Sequence, residues 1–167
     1  MRTLYHGSYT VVERPQVASG RRNLDFGRGF YLTSLRSQAE RWARLVTERR
    51  MRDGIPQLNI YQFDDVLARQ VRWLCFEAYD LAWLDFVVAC RAGKTPWNQY
   101  DIVEDGVAND NVIDTVEDYT AGIITAEQAL GQLRYKAVNH QLCIIGQEAL
   151  DRCLHFAEAI PLEPETP

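Results

Sequence analysis

Asp25-Phe26-Gly27-Arg28-Gly29-Phe30-Tyr31-Leu32-Thr33, running without a break into Ser34-Leu35-Arg36-Ser37-Gln38-Ala39-Glu40-Arg41-Trp42-Ala43, is the stretch around which the chain is organised. Two glycines one residue apart, then an aromatic β-leaning run, then a serine-led helical pattern, predict a tight loop, a short strand and a helix start. Phe30 and Tyr31 are neighbours on a strand and must point to opposite faces, so that one packs in the core while the other faces a cleft. Ser34 or Ser37 is the expected helix cap. Positions 35, 38, 39 and 42 fall on one side of the helix, which brings Trp42 back toward Tyr31.

A chain of 167 residues, 47% hydrophobic and 25% charged, fits one globular domain over residues 1–160 that buries roughly 70% of its unfolded surface. The Pro/Glu-rich residues 161–167 read as a mobile tail. A net charge of -5 argues against broad electrostatic capture of nucleic acid or an acidic membrane. Arginines cluster over 36–52, but Glu40 and Glu48 interrupt them, as on a solvated helix face. Cysteines 75, 90, 143 and 153 lack CxxC spacing and read as buried free thiols in a reducing compartment. With neither a signal-peptide pattern nor a membrane-length apolar run, the chain is expected to be cytoplasmic.

Working outward, Thr3-Leu4-Tyr5-His6 predicts an opening strand ended by Gly7-Ser8, with His6 at its mouth. Residues 9–23 read as loop. The organising helix should run from about 35 to 50 and stop before Asp53-Gly54-Ile55-Pro56. Leu58-Asn59-Ile60-Tyr61-Gln62-Phe63 alternates as a strand with one buried face, Val71–Phe76 is strand-like, and 81–91 has helical spacing with Trp83, Phe86 and Val87 as core. Residues 100–111 predict a short buried strand that enters a glycine turn and a polar knot. There Asp110 or Asn111 caps a helix over roughly 112–121, and Asn109 or Asp110 is open to a nucleotide contact. Thr125-Ala126-Glu127-Gln128 has the form of a capping box. Asn139-His140-Gln141-Leu142-Cys143-Ile144-Ile145 is the last convincing strand, followed by a helix over 147–154 and an edge strand over 156–160.

Several chemistries fall away. Asp25-Phe26-Gly27 matches a kinase metal-binding triplet, but neither the catalytic-loop pattern nor the lysine strand accompanies it. Gly27-x-Gly29 has no third glycine and precedes a strand, so a Rossmann site does not follow. Histidines at 6, 140 and 155 without paired cysteines give little support to a metal site.

What remains is His6 after an opening strand, Tyr31 after a glycine loop and Gln141 opening a late strand. Leu4-Tyr5-His6-Gly7-Ser8, then Phe26-Gly27-Arg28-Gly29-Phe30-Tyr31-Leu32 with Trp42 downstream, then Asn139-His140-Gln141-Leu142-Cys143-Ile144, resemble in order the His-Tyr-Glu signature of the diphtheria-toxin and poly(ADP-ribose) polymerase branch of ADP-ribosyltransferases. They are closest to a bacterial group with Gln at the Glu position. The resemblance spans residues 4 to about 154. It implies an α+β fold with a split antiparallel β core flanked by helices, gripping NAD as co-substrate between two small sheets.

By position, the resemblance makes His6, Tyr31 and Gln141 the catalytic set. Gly7, Ser8, Gly29, Trp42, Asn109 and Asp110 are the expected NAD contacts. His6 would bond the ribose side, Gly7 backbone groups would read the carboxamide, and Tyr31 and Trp42 would flank the nicotinamide ring, gaining about 0.5–2 kcal/mol per aromatic contact. Where the family places a carboxylate, this chain has Gln141, whose amide can hold a hydroxyl but carries no charge. Losing such a group costs about a hundred- to thousand-fold in rate unless another compensates; Glu104, Asp110 and Glu148 are the candidates. Ala39, where relatives place a small hydroxyl residue, is a second departure. The resemblance implies a mono-ADP-ribosyltransferase acting on an intracellular macromolecule, in the manner of a bacterial toxin-antitoxin or defence effector with an antitoxin protein as partner. An inactive module that binds NAD, ADP-ribose or a protein, and an NAD glycohydrolase, are the alternatives.

Overall fold

The computed structural model describes residues 1–51, 53–105, 112–133 and 140–163. Its first sheet follows from the alternation at 58–63. Strand β3 (Gln57–Phe63) lies between β1 (Arg2–Ser8) and β7 (Leu154–Pro161), antiparallel to both. Leu58 and Ile60 turn to one face, where they meet Ala39, Ala43 and Leu162, while Tyr61 and Phe63 turn to the other. The outer face is covered by helix α1 (Arg36–Arg50), whose buried stripe Ala39, Ala43 and Thr47 repeats every four residues.

The second sheet runs in the order β2 (Phe30–Leu32), β6 (Gln141–Ile144), β5 (Ile102–Asp105), β4 (Trp73–Phe76). Leu4, Phe30, Leu32, Tyr61, Phe63, Ile102, Leu142 and Ile144 fill the layer between the sheets, backed by Leu150 of α6 (Gln147–Cys153). The far face of the second sheet packs Val103 and Cys143 onto Trp83, Leu84 and Val87 of α3 (Leu81–Arg91) and onto α4 (Val112–Thr120) and α5 (Ala126–Leu133). A short helix α2 (Asp65–Ala68) follows β3, capped by the Asp64 carboxylate, which accepts from the Val66 and Leu67 amides at 2.9 and 3.1 Å. The sheets meet where Tyr5 of β1 exchanges both backbone bonds with Thr33, at 2.8 and 2.9 Å. The fold is thus α+β with a β core divided into two sheets. Among the described residues, no helix is long and apolar enough to cross a membrane.

The expected elements are present, with informative shifts. β1 continues through Gly7 and Ser8, which places His6 inside the strand rather than at its mouth. The second sheet is not wholly antiparallel: β4 pairs parallel with β5, because the connection between them holds α3 and a 3-10 turn (Pro96–Gln99) and is long enough to cross over. Neither Ser34 nor Ser37 caps α1. Leu35 holds the N-cap position, and its amide is taken by Thr33 Oγ1 at 3.0 Å. The Thr125 capping box forms as expected, with Gln128 N donating to Thr125 Oγ1 at 3.2 Å and Thr125 N to Gln128 Oε1 at 2.8 Å. Cys90, Cys143 and Cys153 are buried free thiols, but Cys75 is exposed because β4 is an edge strand. Pro161 still belongs to β7, and Leu162 is buried with its amide donating to Pro56 O at 2.8 Å, so the chain is held past 160.

Candidate functional site

His6, Gly7 and Ser8 come from β1 and Trp42 from α1, and together they line one cleft of about 230 Å³. The α1 wall consists of Trp42, Leu45, Val46, Arg49 and Arg50, residues spaced so that they share a helix face; Arg21 closes the rim. The Arg21 guanidinium lies 6.0 Å from the Trp42 ring centroid, at the limit of a cation-π contact. Trp42 is 43% exposed, a large aromatic open to a ligand. Among the described residues, Arg21, Arg49 and Arg50 have no carboxylate partner, so a chain of net negative charge concentrates free positive charge at this rim.

Gly7 explains why helix and strand come so close. A Cβ at this position would lie 2.0 Å from Ala39 O and 2.6 Å from Ala43 N, both backbone atoms of α1. Its polar backbone groups have a definite direction. Tyr5 spends its N–H and C=O on Thr33 rather than on β3, and antiparallel pairing alternates every second residue, so Gly7 turns its N–H and C=O to the same side, away from β3 and toward the cleft it lines. This provides a donor and an acceptor on rigid backbone.

His6 is half-buried on the inner side of β1, its ring 4.5 Å from that of Phe30. Its Nδ1 lies 2.8 Å from Tyr31 O. A carbonyl oxygen only accepts, so Nδ1 carries the proton and Nε2 is left as an acceptor. Burial holds the imidazole below its ordinary pKa and outweighs the opposing bond to Tyr31 O, which keeps the ring neutral near pH 7. Such a group can accept a hydrogen bond from a ligand hydroxyl.

Tyr31 and Gln141 form a second cluster. Tyr31 faces the same side as its cross-strand neighbour Cys143, its ring stacks on Phe26 with centroids 6.5 Å apart, and Trp42 is not its ring partner. The phenol donates to Gly27 O at 2.7 Å and accepts from Phe26 N at 3.1 Å. Burial, reinforced by Cys143 and Asp25, holds it far above its ordinary pKa, so it remains a neutral hydroxyl. The Gln141 amide donates to Asp25 Oδ2 at 3.2 Å, and Arg91 Nε donates to Asp25 Oδ1 at 2.6 Å. Among the described residues, the Tyr31 carbonyl, bonded to His6 Nδ1, joins this cluster to the cleft.

The remaining expected residues divide clearly. Gly29 serves packing: a Cβ there would meet Cys143 Sγ at 2.3 Å and Ile144 O at 2.7 Å. Asn109, Asp110 and Asn111 lie outside the described residues. Glu104 is committed elsewhere. Its Oε1 accepts from Arg2 Nη1 at 2.6 Å and from His140 Nε2 at 2.7 Å, His140 Nδ1 being occupied by the Ser34 amide at 2.9 Å. Burial alone would raise the Glu104 pKa, but the bonds from His140 and Arg2 prevail and hold it below the ordinary value. Glu148 projects into solvent from α6, its side chain 88% exposed. A larger depression of about 660 Å³ lies along β4, walled by Arg2, Asp65, Trp73, Cys75 and Glu104. Its Arg2 is already paired with Asp65 and Glu104, at 2.8 and 2.6 Å. Size therefore does not mark the better site; the smaller cleft is the one with free cations, an exposed aromatic and available backbone groups.

Residues 2–156 match the family described as protein of unknown function (DUF3990), and the chain belongs to that family. No curated protein and no solved structure matches it.

Proposed function

We propose that this DUF3990 chain is an NAD-dependent mono-ADP-ribosyltransferase with an ADP-ribosyltransferase-like split β core. The observation that carries the reading is the meeting of His6, Gly7, Ser8 and Trp42 in one arginine-rimmed cleft. Each feature has a counterpart in the dinucleotide. The Gly7 N–H and C=O suit a carboxamide, which needs one donor and one acceptor. The exposed Trp42 ring offers a face to a pyridinium, the neutral His6 Nε2 accepts from a ribose hydroxyl, and the free arginines match a pyrophosphate. A cleft of about 230 Å³ falls below the roughly 300–1,000 Å³ of pockets that enclose a drug-sized ligand. It therefore takes only part of the dinucleotide, with the pyrophosphate over the arginine rim.

In the reaction the bond from ribose C1′ to nicotinamide breaks, the bonding pair leaves with the nicotinamide, and the sugar carries oxocarbenium-like charge until a nucleophile on a macromolecule adds and loses its proton. Gln141 holds a hydroxyl without charge, and this favours the second reading, a non-catalytic NAD-binding module. These two readings, and the glycohydrolase alternative, separate in one experiment. Purified protein and NAD are assayed for binding, for nicotinamide release and for transfer of label onto protein or nucleic acid from a lysate. A transferase binds, releases and labels; a glycohydrolase releases without labelling; a module only binds. His6→Ala and Trp42→Ala are expected to weaken NAD binding at least tenfold. NAD affinity unchanged in both variants refutes the assignment of this cleft.

A further inference from the structure

We propose that Asp25, which no family position predicts, supplies the negative charge missing at Gln141. The inference rests on the functional reading above and deepens it. The carboxylate and the amide form one unit, with Gln141 Nε2 3.2 Å from Asp25 Oδ2. A group at Gln141 that reaches the nicotinamide ribose therefore brings a carboxylate with it.

Asp25 is held as a positioned group should be. Arg91 of α3 bonds its other oxygen at 2.6 Å, and Arg91 in turn lies 4.0 Å from Glu117 of α4. The loop beneath is fixed by Gly27 N donating to Leu24 O at 2.9 Å, by the positive φ of Gly27, and by the Trp97 ring, which occupies the space a Cβ on Gly27 would need. Tyr31 completes the frame through Gly27 O and Phe26 N. The bonds from Arg91 and Gln141 leave lone pairs on both Asp25 oxygens, and the side chain is 19% exposed, so a ligand can reach it. Glu104 and Glu148 lack these properties, one being 7% exposed and enclosed by Arg2 and His140, the other projecting into solvent.

The role divides a single family carboxylate between two side chains. Gln141 orients the ribose hydroxyl, and Asp25 stabilises the cationic sugar as the bond to nicotinamide breaks and its electron pair departs. Water then adds at C1′ and releases a proton to solvent, so that free ADP-ribose and nicotinamide are the products measured.

The test is nicotinamide release by the purified full chain, with NAD affinity measured in parallel, for wild type, Asp25→Asn, Gln141→Glu and the double variant Asp25→Asn/Gln141→Glu, which exchanges amide and carboxylate. Asp25→Asn is expected to slow release about a hundred- to thousand-fold with NAD affinity within threefold of wild type. The exchange variant is expected to recover at least tenfold of that loss, while Gln141→Glu alone, which adds a second carboxylate beside Asp25, is expected to gain less than threefold over wild type; a merely structural role for Asp25 would instead let Gln141→Glu alone raise release about a hundred-fold or more. Should Asp25→Asn fail to fold, the comparison is the exchange variant against wild type, expected to agree within about tenfold. Release by Asp25→Asn at the wild-type rate, or no recovery in the exchange variant, overturns the role of Asp25 and leaves the transferase reading intact. Wild type that binds NAD without releasing nicotinamide also overturns it. Wild type that does not bind NAD overturns the functional reading itself.

Discussion

Replacing Gly7 by alanine tests the geometry on which the cleft depends. The added Cβ would sit 2.0 Å from Ala39 O and 2.6 Å from Ala43 N. Neither atom can rotate away, since both belong to the backbone of α1. Relieving the closer contact to an ordinary 3.4 Å requires helix and strand to part by about 1.4 Å, which loosens Ala39, Ala43 and Thr47 together. Overpacking typically costs about 1–3 kcal/mol, and a clash with rigid backbone belongs at the upper end. For a chain of this size, about 3 kcal/mol lowers Tm by about 6–12 °C. Urea denaturation followed by tryptophan fluorescence measures the loss. Gly131→Ala is the control: Gly131 lies in α5, a Cβ there meets nothing within 4 Å, and the change should stabilise by about 0.5–1 kcal/mol. If Gly7→Ala unfolds within 1 kcal/mol of wild type at an unchanged m-value, the close approach of β1 to α1 is wrong, and with it the wall of the cleft.

Two further outcomes concern buried polar groups. Asn59, fully buried, accepts from Val12 N at 2.7 Å and donates to Thr10 O and His6 O at 3.2 and 3.3 Å, pinning the segment after β1 to β3. Asn59→Ala should cost about 1–3 kcal/mol and speed amide exchange at Val12, as read by hydrogen exchange. The Glu104 pKa is lowered by folding, so its contribution is fully present above its ordinary pKa of 4.5 and is lost as pH falls from there through the lower folded value. The acid limb of a stability-pH profile should be shallower in Glu104→Gln. His6 acts in the same direction at higher pH: its lowered pKa withdraws stability as pH falls below 6.5, and His6→Gln should remove that step from the profile.

What could be read from sequence was local. The alternation at 58–63, the box at Thr125 and Gln128, and the opposed directions of Phe30 and Tyr31 each depend on residues a few positions apart, and each appears in the structure. The start of α1 differs from the expected serine cap because no side chain caps it: Leu35 holds the N-cap position, and the hydroxyl of Thr33, fixed by its bridge to Tyr5, takes the Leu35 amide ahead of the first turn. Gly29 carries the same local signature whether it admits a ligand or a neighbouring strand, and the strand occupies the space. The parallel entry of β4 depends on the crossover through α3, and the exposure of Cys75 on the edge position of β4; neither is contained in a window of sequence. Asp25 escaped notice for the same reason. Its partners Arg91 and Gln141 lie 66 and 116 residues away, and the Asp25-Phe26-Gly27 triplet by itself matches an unrelated motif.

The middle strand of the first sheet borrows one neighbour from the beginning of the chain and the other from Leu154–Pro161. During synthesis, β1 and β3 can pair early, but the other edge of β3 must wait until Leu154–Pro161 has left the ribosome. Pairings so distant in sequence form slowly, because ring closure precedes any reward in contacts. The sheet that bears His6 is therefore completed from its far edge, once Leu154–Pro161 has docked on β3.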